Sequence, residues 1–564
     1  MQTKTFIVNG IEHRILVDDN DTLVDVIRDQ LHITSVKVGC GKGSCGACSV
    51  LLNGKVVRAC ITKMKRVPDF SEIMTVEGVG TAKMLHPLQQ SWIFHGAAQC
   101  GFCTPGFIVS AYALLKENPK PTREEVRDWF QKHHNVCRCT GYKPIVDAVM
   151  DAAAVMRGDL SPDAITWHKP VDGRIWGSRM PRRTAIPKVT GAAEYGDDYS
   201  HMMPENTLHL ALVQAKVSHA NIKGIDATEA LKMPGVFTVL TAKDVKGKNR
   251  INGLVTFPNE NKCDGWDRPI LNDTKVFQYG DALAIVCADT EKHARAAADK
   301  VKVDLEQLPE YMNAPDALAP DAIEIHPGTP NDYYVCHEVK GEDPEASFDD
   351  PENAVVSQEY YTQRQPHLPI EPDVFQGYWD EDGMLTIMSK THDLYGCRNE
   401  LAPAIGMDPE KVRMINNPAG GCFGYSTISS VFAIAGVAVM ALDMPVSMTL
   451  SYEEHMHMTG KRSATYSNGR LACDEEGKIL AVECDVAMDH GAYAGTASIA
   501  FGNLISVPFQ GYNIPNMKML ARAGASNHNF TCAYRGFGGP QIYTMSEALT
   551  DMAAEKAGID AWEF

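Results

Sequence analysis

The sequence predicts a multidomain α+β chain, on three observations. At 564 residues it is too long for one hydrophobic core, so three or four domains are expected. Two Asn-Gly dipeptides near its start sit between β-rich runs: "TKTFIVNGIEHRILVDD" turns at Asn9-Gly10 and "CSVLLNGKVVRAC" at Asn53-Gly54, with the helix-like "TLVDVIRDQL" between them. Further along, strand and helix patterns alternate. The net charge of −18 reads as a solvated acidic face and argues against nucleic acid, since phosphate binding draws on a basic surface. No window reaches the ~18 apolar residues of a membrane span. The start, "MQTKTFIVNG", lacks the basic-then-apolar pattern of a secretory signal. A cytoplasmic chain with no nucleic-acid and no membrane partner is expected.

The first element is a small mixed sheet crossed by a helix, of ferredoxin type, built on the two hairpins. Its loop carries Cys40, Cys45 and Cys48, and Cys60 follows, with four, two and eleven residues between neighbours. That is the plant-type spacing for a [2Fe–2S] cluster, whose fourth thiolate comes from further along the chain. Gly39, Gly41, Gly43 and Gly46 let the loop curl tightly and bring backbone N–H groups toward the sulfurs. Zinc is the alternative for any Cys-x-x-Cys pair. Sixteen cysteines in a cytosolic chain do not suggest disulfides. The eight beyond residue 140 (Cys263, Cys287, Cys336, Cys397, Cys422, Cys473, Cys484, Cys532) are scattered and read as ordinary buried thiols.

The second element is helical. "QCGFCTPGFIVSAYALLK" puts Cys100 and Cys103 just before an apolar helix, and "TREEVRDWFQKHHNVCRCTGYKPIVDAVMDAAAVM" supplies Cys137 and Cys139 between two more. Thr122 and Glu125 have capping-box spacing and Pro144 suits a first turn. Ile145, Val149, Ala152 and Met156 recur at helical spacing and are expected to face a core. In order, "GCGKGSCGAC", "QCGFCTPG" and "CRCTGYKPI" resemble the iron–sulfur module of the xanthine oxidase and aldehyde oxidoreductase family of molybdenum hydroxylases. The resemblance implies two [2Fe–2S] clusters, the helical-domain one nearer a molybdenum cofactor.

The remaining elements extend that resemblance over nearly the whole chain. Residues 158–187 hold prolines and charges without periodicity and read as a linker. "VSHANIKGIDATEALKMPGVFTVLTAKDV" and "YGDALAIVCADTEKHARAAADKVKVDLEQLP" alternate strand and helix and resemble the family's hammerhead domain. The expected organisation is a β-grasp, plant-type [2Fe–2S] ferredoxin-like domain over 1–80 and a helical-bundle [2Fe–2S]-binding domain over 81–157. After the linker come an α/β hammerhead domain over 188–310 and the N-terminal half of a molybdopterin-binding α+β domain over 311–564. No flavin domain or nucleotide-binding glycine fingerprint stands between module and hammerhead. The resemblance therefore implies an external electron acceptor: a flavodoxin, a ferredoxin or a flavin subunit.

Two glycine loops, "NPAGGCFGYS" (417–426) and "AYRGFGGPQ" (533–541), could approach a phosphate or pterin with backbone N–H groups, although such loops alone are mostly turns. They match the family's GGxFG and RGFGGPQ strings. By resemblance Gly420, Gly421, Phe423 and Gly424 line the molybdopterin, Arg535 stands near substrate or pterin, and Phe537 walls a substrate channel. The plain alternatives are a core aromatic for Phe537 and a surface ion pair for Arg535. His367 and Glu371, in "QPHLPIEP", stay outside the expected site.

Departures from the family narrow the expected substrate. Purine-oxidising relatives carry a lysine and glutamate where this chain has Ser426 and Thr427, and an arginine where it has Asn503. A pocket without those charges favours an aldehyde, oxidised to a carboxylic acid with water as oxygen source, over a purine. The family's HGQG and GxGE strings, the latter holding the general-base glutamate, are absent from these residues. A partner chain carrying the second half of the molybdenum domain is therefore expected. The implied cofactor is molybdopterin, in its cytosine dinucleotide form, with molybdenum or tungsten, in a homo-oligomeric enzyme. The competing expectations are an N-heterocycle hydroxylase subunit and a non-catalytic iron–sulfur electron-transfer subunit without molybdenum.

Overall fold

The N-terminal sheet follows from its two hairpins. In the computed structural model, which describes residues 1–253, 267–428 and 431–564, Gln2–Val8 pairs antiparallel with Ile11–Val17, and Ser49–Leu52 with Lys55–Arg58. Both turn residues of each hairpin are left-handed (Asn9 φ 50° and Gly10 φ 84°; Asn53 φ 49° and Gly54 φ 79°), the backbone that matches strand twist. Ser71–Met74 enters between the hairpins, parallel to Gln2–Val8, and completes five strands. The helical turns Leu23–Asp25 and Val26–Gln30 cover the sheet, burying Leu23, Val24, Val26 and Ile27 against Phe6, Val8 and Val50. Cys263 lies outside the described residues.

Four helices follow: Pro87–Phe94, Thr104–Glu117, Arg123–Lys132 and Tyr142–Arg157. The Thr122–Glu125 capping box forms, and Pro144 falls in a first turn. Ile145, Val149 and Ala152 are buried as expected. Met156 is 42% exposed, because the last turn of its helix runs past the bundle.

The hammerhead strands do not close on themselves. Val236–Thr241, Ala282–Ala288 and Leu208–Gln214 continue through Val446–Thr449 into Val374–Trp379, Leu385–Ser389 and Val412–Asn416, one seven-stranded sheet spanning both sides of residue 310. The seam is the parallel pairing of Val446 with Leu208 and Ser447 with His209. A second five-stranded sheet (Asp332–Lys340, Asn516–Ala525, Ile479–Gly491, Ala464–Cys473, Ala354–Thr362) carries the 19-residue helix Gly539–Ala557 across it.

A buried ion cluster joins the N-terminal domain to the start of the hammerhead region. Arg28 lies 2.8 Å from Asp197 and 2.9 Å from Asp198, and Lys37 lies 2.5 Å from Asp198. Arg28, Lys37 and Asp198 are almost wholly shielded from solvent. Among the described residues no helix is long and apolar enough to cross a membrane.

Candidate functional site

The first four thiols gather where the glycine loop curls over the sheet, and they meet in pairs. Cys45 donates a hydrogen bond to Cys40 and holds its thiol down at about 5, while Cys48 pairs with Cys60 and lowers it. The donors, Cys45 and Cys48, are pushed up by the same bonds and by burial. The Ser44 N–H donates to Cys40 Sγ at 3.1 Å, so backbone donors face the sulfurs. Gly43 (φ 75°) and Gly46 (φ 66°) give the loop its left-handed steps.

The second four meet at helix starts. Cys103 is the N-cap of Thr104–Glu117, and Cys139 lies three residues before Tyr142–Arg157, so both helix dipoles favour negative charge there. The Cys100 thiol bonds Cys139, which falls to about 3, and Cys103 bonds Cys137, which also bonds Cys139. The Cys137 N–H donates to the Tyr142 hydroxyl at 2.9 Å. Among the described residues no three His, Cys, Asp or Glu side chains converge on one ion position. The first set meets as two pairs and the second as a chain of contacts, so four thiols gather in each place, the number a two-iron cluster takes. The residues present fit two such clusters.

The two thiol loops also touch. Val136 N–H donates to Cys45 O at 3.0 Å, Asn135 Nδ2 to Gly46 O at 3.3 Å, and a Cβ on Gly106 would lie 2.4 Å from Gly46 O.

From the second set the structure leads directly to the glycine loops. Arg138, between Cys137 and Cys139, donates to His367 O at 2.7 Å, Pro366 O at 3.4 Å and the Tyr534 hydroxyl at 2.7 Å, and its guanidinium lies 5.7 Å from the Phe423 ring centre. The two glycine loops pair through Arg535 N–H to Phe423 O at 2.9 Å. Phe423 itself is left-handed (φ 63°), between Gly421 (φ 105°) and Gly424 (φ 124°). Gly420 is buried, and its N–H donates at 2.5 Å to Glu371, whose other oxygen accepts from Gly196 N–H at 2.9 Å. Burial pushes the Glu371 carboxyl up, against Lys390 3.4 Å away and these N–H donors. Glu371, left outside the expected site, is thus the anchor of its first loop.

Arg535 is exposed at the mouth of the second loop. Phe537 is half-buried against the core around the second five-stranded sheet, and its carbonyl accepts from Asn503 Nδ2 at 3.1 Å. Ser426 and Thr427 turn back on the first loop, Ser426 Oγ to Cys422 Sγ at 2.7 Å and Thr427 Oγ1 to Gly424 O at 3.2 Å. Ser426, Thr427 and Asn503 are thus neutral and engaged with neighbouring backbone or side chains.

Cys422 is buried in the core as expected, beside the first glycine loop. Burial raises it, but His392 Nδ1 at 3.7 Å and the Ser426 hydroxyl outweigh that and bring it below the usual thiol range.

The loops suit an anionic pterin. The guanidinium groups of Arg138, Arg462 and Arg535 have no carboxylate partner among the described residues, and the helix Gly539–Ala557 starts from the second loop. Gly424→Ala should separate the loops, because its Cβ would sit 2.4 Å from Ala533 O at a φ that L-residues avoid. The expected cost is about 1–3 kcal/mol, read from the denaturation midpoint, with loss of any retained cofactor.

Comparison with known proteins accords with this geometry. Residues 6–70 match the 2Fe-2S iron-sulfur cluster binding domain and 75–150 a [2Fe-2S] binding domain. Residues 190–309 match the a/b hammerhead domain of aldehyde oxidase and xanthine dehydrogenase, and 325–564 the molybdopterin cofactor-binding domain. The chain is 55% identical to an aldehyde oxidoreductase of Megalodesulfovibrio gigas over all of its own length and 62% of that protein's. The crystal structure of the aldehyde oxidoreductase from Desulfovibrio desulfuricans superposes with a TM-score of 0.97 at 59% identity, again over 100% of this chain and 62% of the other. The nicotinate dehydrogenase large molybdopterin subunit of Eubacterium barkeri is 30% identical over 69% of this chain and 88% of its own. The chain thus spans about three-fifths of the length of the aldehyde oxidoreductases it matches.

Proposed function

The chain belongs to the molybdenum hydroxylase family, and on that premise we propose that it oxidises aldehydes to carboxylic acids with water as the oxygen source. Electrons would pass through two [2Fe–2S] clusters to an external acceptor. The single observation that carries this reading is that the second thiol set lies directly against the glycine loops of the molybdopterin half, joined to them by Arg138.

Cys40, Cys45, Cys48 and Cys60 would hold one cluster, and Cys100, Cys103, Cys137 and Cys139 the other. Gly420, Gly421, Phe423, Gly424 and Arg535 would hold the molybdopterin, for which we favour the cytosine dinucleotide form. When bound, its molybdenum, or tungsten in its place, supplies a two-electron redox centre and activates water. The chain's own residues position: Glu371 fixes the first loop, Arg462 ties the Arg535 carbonyl at 2.9 Å, and Phe537 would wall the substrate channel. The general-base glutamate of the family's GxGE string would come from polypeptide beyond these residues, carrying the second half of the molybdenum domain.

Cys40 is half-exposed and lines a solvent-facing cleft of about 800 Å³, which favours the first cluster as the exit. A flavodoxin, a ferredoxin or a flavin subunit would collect the electrons there, for a cytoplasmic homo-oligomer. The neutral Ser426, Thr427 and Asn503 favour aldehydes over N-heterocycles.

Metal analysis with aldehyde-dependent dye reduction tests the proposal. About four iron atoms per chain, with molybdenum or tungsten and dye reduction by aldehydes, is the expected result. Iron without either metal would favour the electron-transfer subunit, and turnover of heterocycles but not aldehydes the hydroxylase alternative.

A further inference from the structure

We propose that Arg138 is a positioning residue that locks the second cluster to the molybdopterin loops and, as a fixed cation, raises that cluster's affinity for an electron. The proposal rests on reading Cys100, Cys103, Cys137 and Cys139 as cluster ligands.

The geometry is a clasp. Arg138 occupies the one residue between Cys137 and Cys139, so its backbone moves with two of the four ligands. Its side chain grips the other half of the molecule at His367 O, Pro366 O and the Tyr534 hydroxyl. Tyr534 is held from its other side by Arg462, whose guanidinium stacks 4.4 Å from the ring centre. Arg462 in turn donates to Gln365 Oε1 at 3.0 Å, Gln541 Oε1 at 3.2 Å and Arg535 O at 2.9 Å. A continuous bonded path therefore runs from the cluster loop through Tyr534 to the loop that begins the helix Gly539–Ala557. Three donors spread over a planar fork suit arginine, and an ammonium cannot reproduce them.

The charge argument is independent of the clasp. No carboxylate lies within ion-pair distance of Arg138 among the described residues, so its positive charge is uncancelled locally. A cluster held by four thiolates is anionic and gains a further negative charge on reduction. A fixed cation at its ligand loop stabilises the reduced form more than the oxidised one. Lys188, which donates to Gln99 O at 2.7 Å beside Cys100, adds a second cation near the set.

The test is a redox titration of the reconstituted full chain, followed by paramagnetic resonance of the two clusters, in wild type, R138Q, R138K and Y534F. In R138Q the second cluster's affinity for an electron should fall about tenfold, a downward shift of ~59 mV for one electron, with the first unmoved. R138K should recover most of the potential without the clasp. Y534F should keep the potential but speed amide hydrogen exchange over residues 533–541. Equal shifts of both clusters in R138Q, or none, would overturn the proposal. A wild-type chain without [2Fe–2S] signals would overturn the ligand reading beneath it, a result distinguishable from either.

Discussion

Cys48→Ser should abolish one of the two iron–sulfur signatures and spare the other, and Cys137→Ser should do the converse. Each variant should retain about half the iron of the wild type. The expectation follows from the separation of the two sets: Cys48 and Cys60 lie in the core of the N-terminal sheet, Cys103 and Cys137 in that of the helical bundle. Because metal binding is folding free energy for the loop that holds it, each variant should also melt its own domain earlier. The loops touch through Val136 N–H to Cys45 O, so the two losses should not be fully additive. Iron determination, visible circular dichroism and a double-mutant melting cycle measure all three. Loss of both signatures in either single variant would mean that the eight thiols are not two sets.

What the sequence made legible was local. The Asn-Gly turns and the capping box at Thr122 each depend on residues within a few positions of one another, and each forms as read. The glycine loops stood out as strings, but their meeting through Arg535 and Phe423 spans more than a hundred residues and has no local signal. The same limit hid the seam between Leu208–Gln214 and Val446–Thr449, which merges the hammerhead with the following region. It also hid Glu371 and Arg138: a glutamate beside a proline and an arginine between two cysteines look ordinary until the fold brings Gly420 to one and His367 to the other. Met156 shows the reverse failure, since helical spacing continues past the end of the neighbour that would bury it.

Asp198→Asn should cost about 3–5 kcal/mol, because it strands a buried cation. Asp198 accepts from Lys37, Arg28 and Tyr195 N–H, the last at 2.7 Å. Arg28 would keep Asp197 and the carbonyls of Thr34 and Val36, whereas Lys37 would keep Ala193 O and the face of the Tyr195 ring but no anion within ion-pair distance among the described residues. Lys37 therefore bears the loss. Burial already pushes its pKa down, opposed chiefly by Asp198. Without that opposition the native state sheds the Lys37 proton more readily than the unfolded chain does. More protons are then bound in the unfolded state, so the variant's stability should rise with pH, up to the ordinary lysine range near ~10.4. Added salt should change little, since the pair is shielded from solvent. Lys37→Met in the Asp198→Asn background should recover most of the loss by removing the stranded charge instead of the partner. Denaturant midpoints across pH for the single and double variants decide the matter. A pH-independent loss that Lys37→Met fails to relieve would mean that Asp198 acts through its bond to Tyr195 N–H and the turn it caps, with the ion pair contributing nothing.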